Sequence, residues 1–129
     1  MNRLLLGLML LMTATAASAE WNLVDESESF VQYVDIATLR RSGNLVKLWD
    51  LRAYKTAQTL AGDSYFSNKA QQEYDCKEER VRALAYTFFD GKMGNGKIVF
   101  TNSETSMKWQ PIEPGSVGET LWKIACGKK

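Results

Sequence analysis

The chain contains no histidine. Without an imidazole there is no Ser-His-Asp triad, no Cys-His pair and no histidine-ligated metal. Proton transfer near neutral pH would fall to a perturbed Glu, Asp, Lys or Tyr. The expectation is a protein that is not an enzyme, with no catalytic, cofactor-binding or metal-ligating residue. Cysteine is also scarce. Only Cys76 and Cys126 are present, without a Cys-x-x-Cys spacing, which argues against a redox pair or a thiolate metal site. Two prolines, no low-complexity segment and no internal repeat leave no sign of a linker or a solenoid. No apolar run is long enough to span a bilayer comfortably.

The longest such run, Leu4–Met12, follows Arg3 and precedes a small-residue stretch ending Ala17-Ser18-Ala19. This is the pattern of a secretory signal peptide, with residues 1–19 removed and residues 20–129 retained as one domain. Taking 19 residues from 129 leaves 110, and only Arg3 leaves the charge count. The 16 basic residues become 15, against 15 acidic ones. A balanced charge argues against nucleic acid as a partner. An exported protein is expected in the periplasm or secreted, with association with the cell surface left open. Glu20, not a cysteine, follows the cleavage point, so neither a lipid anchor nor a transmembrane segment is expected.

Export also changes the reading of the cysteines. An even count in an oxidising compartment reads as a disulfide, here Cys76–Cys126. The loop it would close, about 50 residues long, corresponds to at most about 4 kcal/mol of stabilisation.

Along the retained chain, Phe30–Val34 is β-branched and aromatic and reads as a strand. Asp35–Arg41 is compatible with one helical turn capped by Asp35. Leu45–Tyr54 alternates as a long strand, with Leu45, Lys47, Trp49, Leu51 and Ala53 expected to face inward. Lys55–Asp63 reads as an exposed connection. Ser64–Cys76 is ambiguous, since its propensities admit a helix from Asn68 to Tyr74. Arg80–Phe89 alternates as a strand, and three glycines in Asp90–Lys97 followed by Ile98–Phe100 suggest a hairpin. Met107–Pro114 is expected to be extended or irregular. Ser116 with Glu119 has capping-box spacing, Thr120–Ala125 supplies a helix, and Gly127 ends it. These elements make an α+β protein: an antiparallel sheet of about five or six strands with a packed C-terminal helix.

Several motifs invite functional readings. Gly91–Lys97 satisfies G-x-x-x-x-G-K, but Ile98 replaces the magnesium-binding Ser or Thr and no helix follows, so a hairpin turn is the better reading. Arg40-Arg41, Lys92, Lys97 and Lys128-Lys129 suggest either a solvated surface or a modest anion-binding edge. Glu78, Glu79, Arg80 and Arg82 read as exposed charge. Trp49 and Trp122 are expected in the core, and Trp21 and Trp109 partly exposed.

Taken in order, several segments resemble the surface-adhesin protein E family of exported Gram-negative bacterial proteins. They are Tyr33-Val-Asp35 with Arg40–Asn44, Val46–Tyr54, Ser67-Asn-Lys69 and Glu73–Cys76, then the Arg80 strand and the Gly91–Gly96 turn. Trp109–Ile112, Pro114–Ser116 and Trp122–Cys126 complete the set. The resemblance spans nearly all of the retained chain. It implies that Ser64–Cys76 is a strand, that Cys76 and Cys126 are bonded and that the sheet carries a C-terminal helix. It also implies a binding protein for host extracellular-matrix or serum proteins such as vitronectin, laminin and plasminogen, with relatives that can dimerise. No ligand-binding residue carries over, so the binding surface stays unassigned. The alternative is a periplasmic envelope accessory or structural protein without a host ligand.

Overall fold

A computed structural model describes residues 19–104 and 107–129, and the expected signal peptide lies outside that range except for Ala19. Among the described residues, seven strands are followed by one α-helix: β1 (Asn22–Glu26), β2 (Phe30–Ser42), β3 (Leu45–Leu60), β4 (Asp63–Asp75), β5 (Arg80–Phe89), β6 (Ile98–Asn102), β7 (Gln110–Pro111) and α1 (Val117–Cys126). Strands β1 to β6 lie side by side in chain order, every pair antiparallel, and β7 adds to the other end of β5. The expected α+β sheet-and-helix class is the observed one.

Helix α1 forms where the capping signals fall. The Ser116 hydroxyl accepts the Glu119 amide at 3.1 Å, and Gly127 takes the left-handed conformation that ends the helix. The Glu119 side chain does not reach back to complete the box but sits 3.5 Å from Lys123. Leu121, Trp122, Ala125 and Cys126 pack on Val34, Val46, Leu48 and Tyr74 to make the core. Cys76 and Cys126 are bonded, with Cα atoms 5.5 Å apart, joining the end of β4 to the end of α1. Beside them the Trp122 indole donates to the Asp75 carbonyl at 2.9 Å.

The face of β3 expected to look inward is the wrong one. Val46, Leu48 and Asp50 lie under the helix, while Lys47 is exposed and Trp49 only half-buried. Counting apolar residues favoured the Leu45 face, but α1 covers the other. Leu51 is buried on the far face for a separate reason: the Gly91–Gly96 loop folds back over it. The Ser67 hydroxyl ties that loop down, donating to the Gly91 carbonyl at 2.6 Å and accepting the Gly94 amide at 3.0 Å. Asp90 bonds the Lys97 amide at 2.7 Å and closes the β5–β6 hairpin.

Two further expectations fail through bulges. Asp35–Arg41 is strand, not a helical turn: the β2–β3 register jumps between Asp35 and Arg40. Asp35 does accept its own downstream amide, from Ala37, but the Thr38 hydroxyl accepts the Trp49 amide and holds the segment to β3. Lys55–Leu60 is not a loop either. A bulge after Ala53 restores pairing at Gln58, and the turn comes at Ala61-Gly62.

A cleft between the helix and an aromatic row

Helix α1 covers one end of its sheet face and leaves the other end open. At the boundary lies a cavity of 220 Å³ lined by Gln32, Asp50, Arg52, Asn68, Gln72 and Tyr74, with Gly118 and Leu121 of the helix as its far wall. Strand alternation explains the set. Asp50 and Arg52 continue the face of Val46 and Leu48, and cross-strand pairing sets Asp50 against Val34 and Ala70, and Arg52 against Gln32 and Asn68.

The cleft is built of interlocked polar groups. Gln32, only 1% exposed, donates to the Leu51 carbonyl at 3.2 Å and accepts the Arg52 Nε at 3.0 Å. The Arg52 guanidinium lies 3.9 Å from the Phe30 ring centroid. Asp50 is 5% exposed and makes no salt bridge among the described residues. Burial raises its carboxyl from 3.8 to about 7, with the Arg52 charge and the Gln72 amide opposing that rise. Tyr74 is pushed well above the usual phenol value, first by burial and then by the neighbouring Asp50 charge. The Asn68 Oδ1 atom is buried without a hydrogen-bond partner.

Beyond Asn68, Ala70 and Gln72 the same groove becomes apolar. There it opens into a 480 Å³ hollow lined by Leu60, Ala83, Tyr86, Phe88 and Phe100. Six rings run in contact across the sheet. Phe30 meets Tyr54, Tyr54 meets Tyr65 and Tyr65 meets Phe88, each edge-on, with centroids 6.2, 5.5 and 4.7 Å apart. Phe88 meets Tyr86 edge-on at 5.7 Å, and Tyr86 stacks on Phe100 at 6.0 Å. None of the six is fully buried. On the edge strand β6, Ile98 is 55% and Phe100 43% exposed.

The opposite face is occupied by structural pairs. Arg82 donates to Glu73 at 2.6 Å and Arg80 to Asp75 at 3.0 Å, and both guanidinium groups lie over the Trp109 ring. Arg80 and Arg82 are therefore paired instead of free charge, Arg80 remaining 41% exposed, because their carboxylate partners lie on β4. Glu78 and Glu79 are exposed in the β4–β5 turn. Trp49, with Trp21, faces the Lys69 ammonium instead of the core, whereas Trp122 is buried. No sequence motif announced the cleft. Its one readable signal was the polar turn of the Val46 face at Asp50 and Arg52.

A single antiparallel meander closed by a C-terminal helix and a long-range disulfide defines a class of disulfide-bonded α+β domain. The family model for surface-adhesin protein E matches residues 21–127, and the chain belongs to that family. Among solved structures, crystal form II of Haemophilus influenzae protein E is similar, with a TM-score of 0.57 at 12% identity, covering 86% of this chain and 97% of that one. The selenomethionine form of the same protein gives 0.56 at 11%, covering 85% and 95%. At such identities the likeness concerns the fold. No curated protein sequence matches.

Proposed function

We propose that the chain is an exported, non-enzymatic, adhesin-like protein that holds a protein partner through the open end of its sheet. Residues 1–19 are the cleaved signal peptide and residues 20–129 the working domain. The partners are host extracellular-matrix or serum proteins such as vitronectin, laminin or plasminogen, and a second copy of the chain is a further partner.

The observation that carries this reading is the exposed apolar edge at β6, contiguous with the aromatic row. An edge strand offers unpaired backbone groups to an incoming strand, and half-exposed aromatics supply anchors. Family membership supports a surface-adhesin role. Purified residues 20–129 should bind immobilised vitronectin, laminin or plasminogen saturably, and Ile98→Lys with Phe100→Ser should weaken that binding at least tenfold, about 1.4 kcal/mol. No binding of the parent protein at micromolar concentration removes the adhesin reading.

A second reading is favoured by Glu20 standing where a lipidation cysteine would be: a soluble periplasmic envelope protein without a host ligand. Cell fractionation separates the two. Confinement to the periplasmic extract supports the second, and protease sensitivity on intact cells supports the first. Among the described residues no helix is long and apolar enough to cross a membrane.

A further inference from the structure

We propose that the cleft between α1 and the aromatic row is a saccharide-binding site selective for N-acetylated hexosamine units. The reading does not require a protein partner at the β6 edge, although Phe100 borders both surfaces.

The argument starts from unmet hydrogen-bonding capacity. Asn68 Oδ1 is buried with no donor facing it, and on the same wall Asp50 lies buried beside the Gln72 amide and the Arg52 charge. A buried acceptor left unpaired is costly, so a site that keeps one is suited to a ligand that brings a donor. Gln32, Arg52 and Gln72 add amide and guanidinium groups at the same wall. Such planar groups can engage hydroxyls as donors and acceptors side by side.

The second half of the argument is the wall that continues from Asn68. Tyr86, Phe88 and Phe100 are half-buried or exposed rings around an apolar hollow, where the C–H face of a pyranose can pack. The hollow, at 480 Å³, falls within the range of small-molecule sites, about 300–1,000 Å³. Ala70 and Ala83 line the hollow between the polar and aromatic ends, and their small side chains are where a ligand methyl group would pack. A ligand matching this sequence of surfaces needs hydroxyls, an amide N–H, a methyl and an apolar ring face together. An N-acetylhexosamine carries all four. A simple hexose lacks the amide and the methyl, and an apolar ligand leaves Asn68 unanswered.

Backbone amide shifts of residues 20–129 can be followed by NMR during titration with triacetylchitotriose up to about 10 mM, with maltotriose in parallel. Saturable shifts around Asn68, Phe88 and Gly118 are expected for triacetylchitotriose, with maltotriose at least about tenfold weaker. Asn68→Leu and Phe88→Leu should each weaken triacetylchitotriose by about tenfold, while Lys69→Ala on the opposite face leaves it unchanged. Absence of saturation, shifts centred on Trp49 and Lys69, or equal binding of the two trisaccharides overturns the proposal. The comparison of sugars uses the unaltered protein, so it decides even if a variant fails to fold. Because the sugars are free in solution, failure here leaves the protein-partner reading standing, and failure there leaves this one.

Discussion

Asp50 and Asp75 are both buried carboxylic residues, yet their surroundings move them in opposite directions. For Asp50, burial is the larger influence and the folded group titrates at about 7, against 3.8 as the reference. Between those values the folded state binds more protons than the unfolded one, so stability falls as pH rises from about 4 to about 7. The accumulated loss is on the order of 4 kcal/mol. Asp50→Asn keeps the shape and removes the titration. Urea unfolding should therefore show the variant more stable than the parent at about pH 8, with the two converging towards pH 4. For Asp75, burial raises the carboxyl, but the Glu78 amide, the Arg80 side chain and the Lys77 amide together outweigh it and hold it below 3.8. Its stabilisation is present above the unfolded value and is lost as pH falls through the folded one. Asp75→Asn should cost about 1–2 kcal/mol at neutral pH and flatten the acid limb below pH 4 of the same curve.

At the level of elements, α1 is the one whose ends are defined locally. Ser116→Ala removes the acceptor for the Glu119 amide and should cost about 1 kcal/mol, read from the thermal or urea midpoint. Gly96 makes the comparable demand in the β5–β6 hairpin. Its φ of 85° disfavours a side chain, and a Cβ there would run into the Asp90 carboxylate that bonds the Lys97 amide. Local chemistry of this kind is why the helix and the hairpin were legible in the sequence. Strand phase was not, because α1 covers the less apolar face of β3 and because five register shifts reset the alternation elsewhere, three of them in β2, β3 and β5. One inserts residues between Asp35 and Arg40, another between Ala53 and Gln58, and a third displaces Leu84 in β5. After each, a pattern read two residues at a time points to the wrong face. Ser64–Cys76 illustrates the remaining difficulty. Strand β4 runs through the middle of the sheet, yet its polar residues serve the cleft on one side and ion pairs on the other. Propensity alone therefore admitted a helix, and only the ordered resemblance to relatives selected the strand.

Across the whole molecule, the cleft depends on contacts far apart in sequence: Gln32 on β2, Asp50 and Arg52 on β3, Asn68 on β4, and Gly118 on α1. No local spacing encodes such a set, whereas the cysteine pair could be read from a count and an export signal. The disulfide also fastens the two halves of that wall, alongside the packing of Leu121, Trp122 and Ala125 and the Trp122–Asp75 hydrogen bond. It fastens the end of β4 to the end of α1, enclosing β5, β6 and β7 in a loop with a sequence separation of 50. Constraint of the unfolded chain over that loop gives at most about 4 kcal/mol, large against the 5–15 kcal/mol typical of a domain. Cys76→Ser and Cys126→Ser remove the same bond, so each should lower the urea midpoint by a similar amount. The double variant should then be little worse than either single one. Losses that add would mean each thiol stabilises the fold separately, whereas matched, non-additive losses tie the closure of α1 over the sheet to the bond itself.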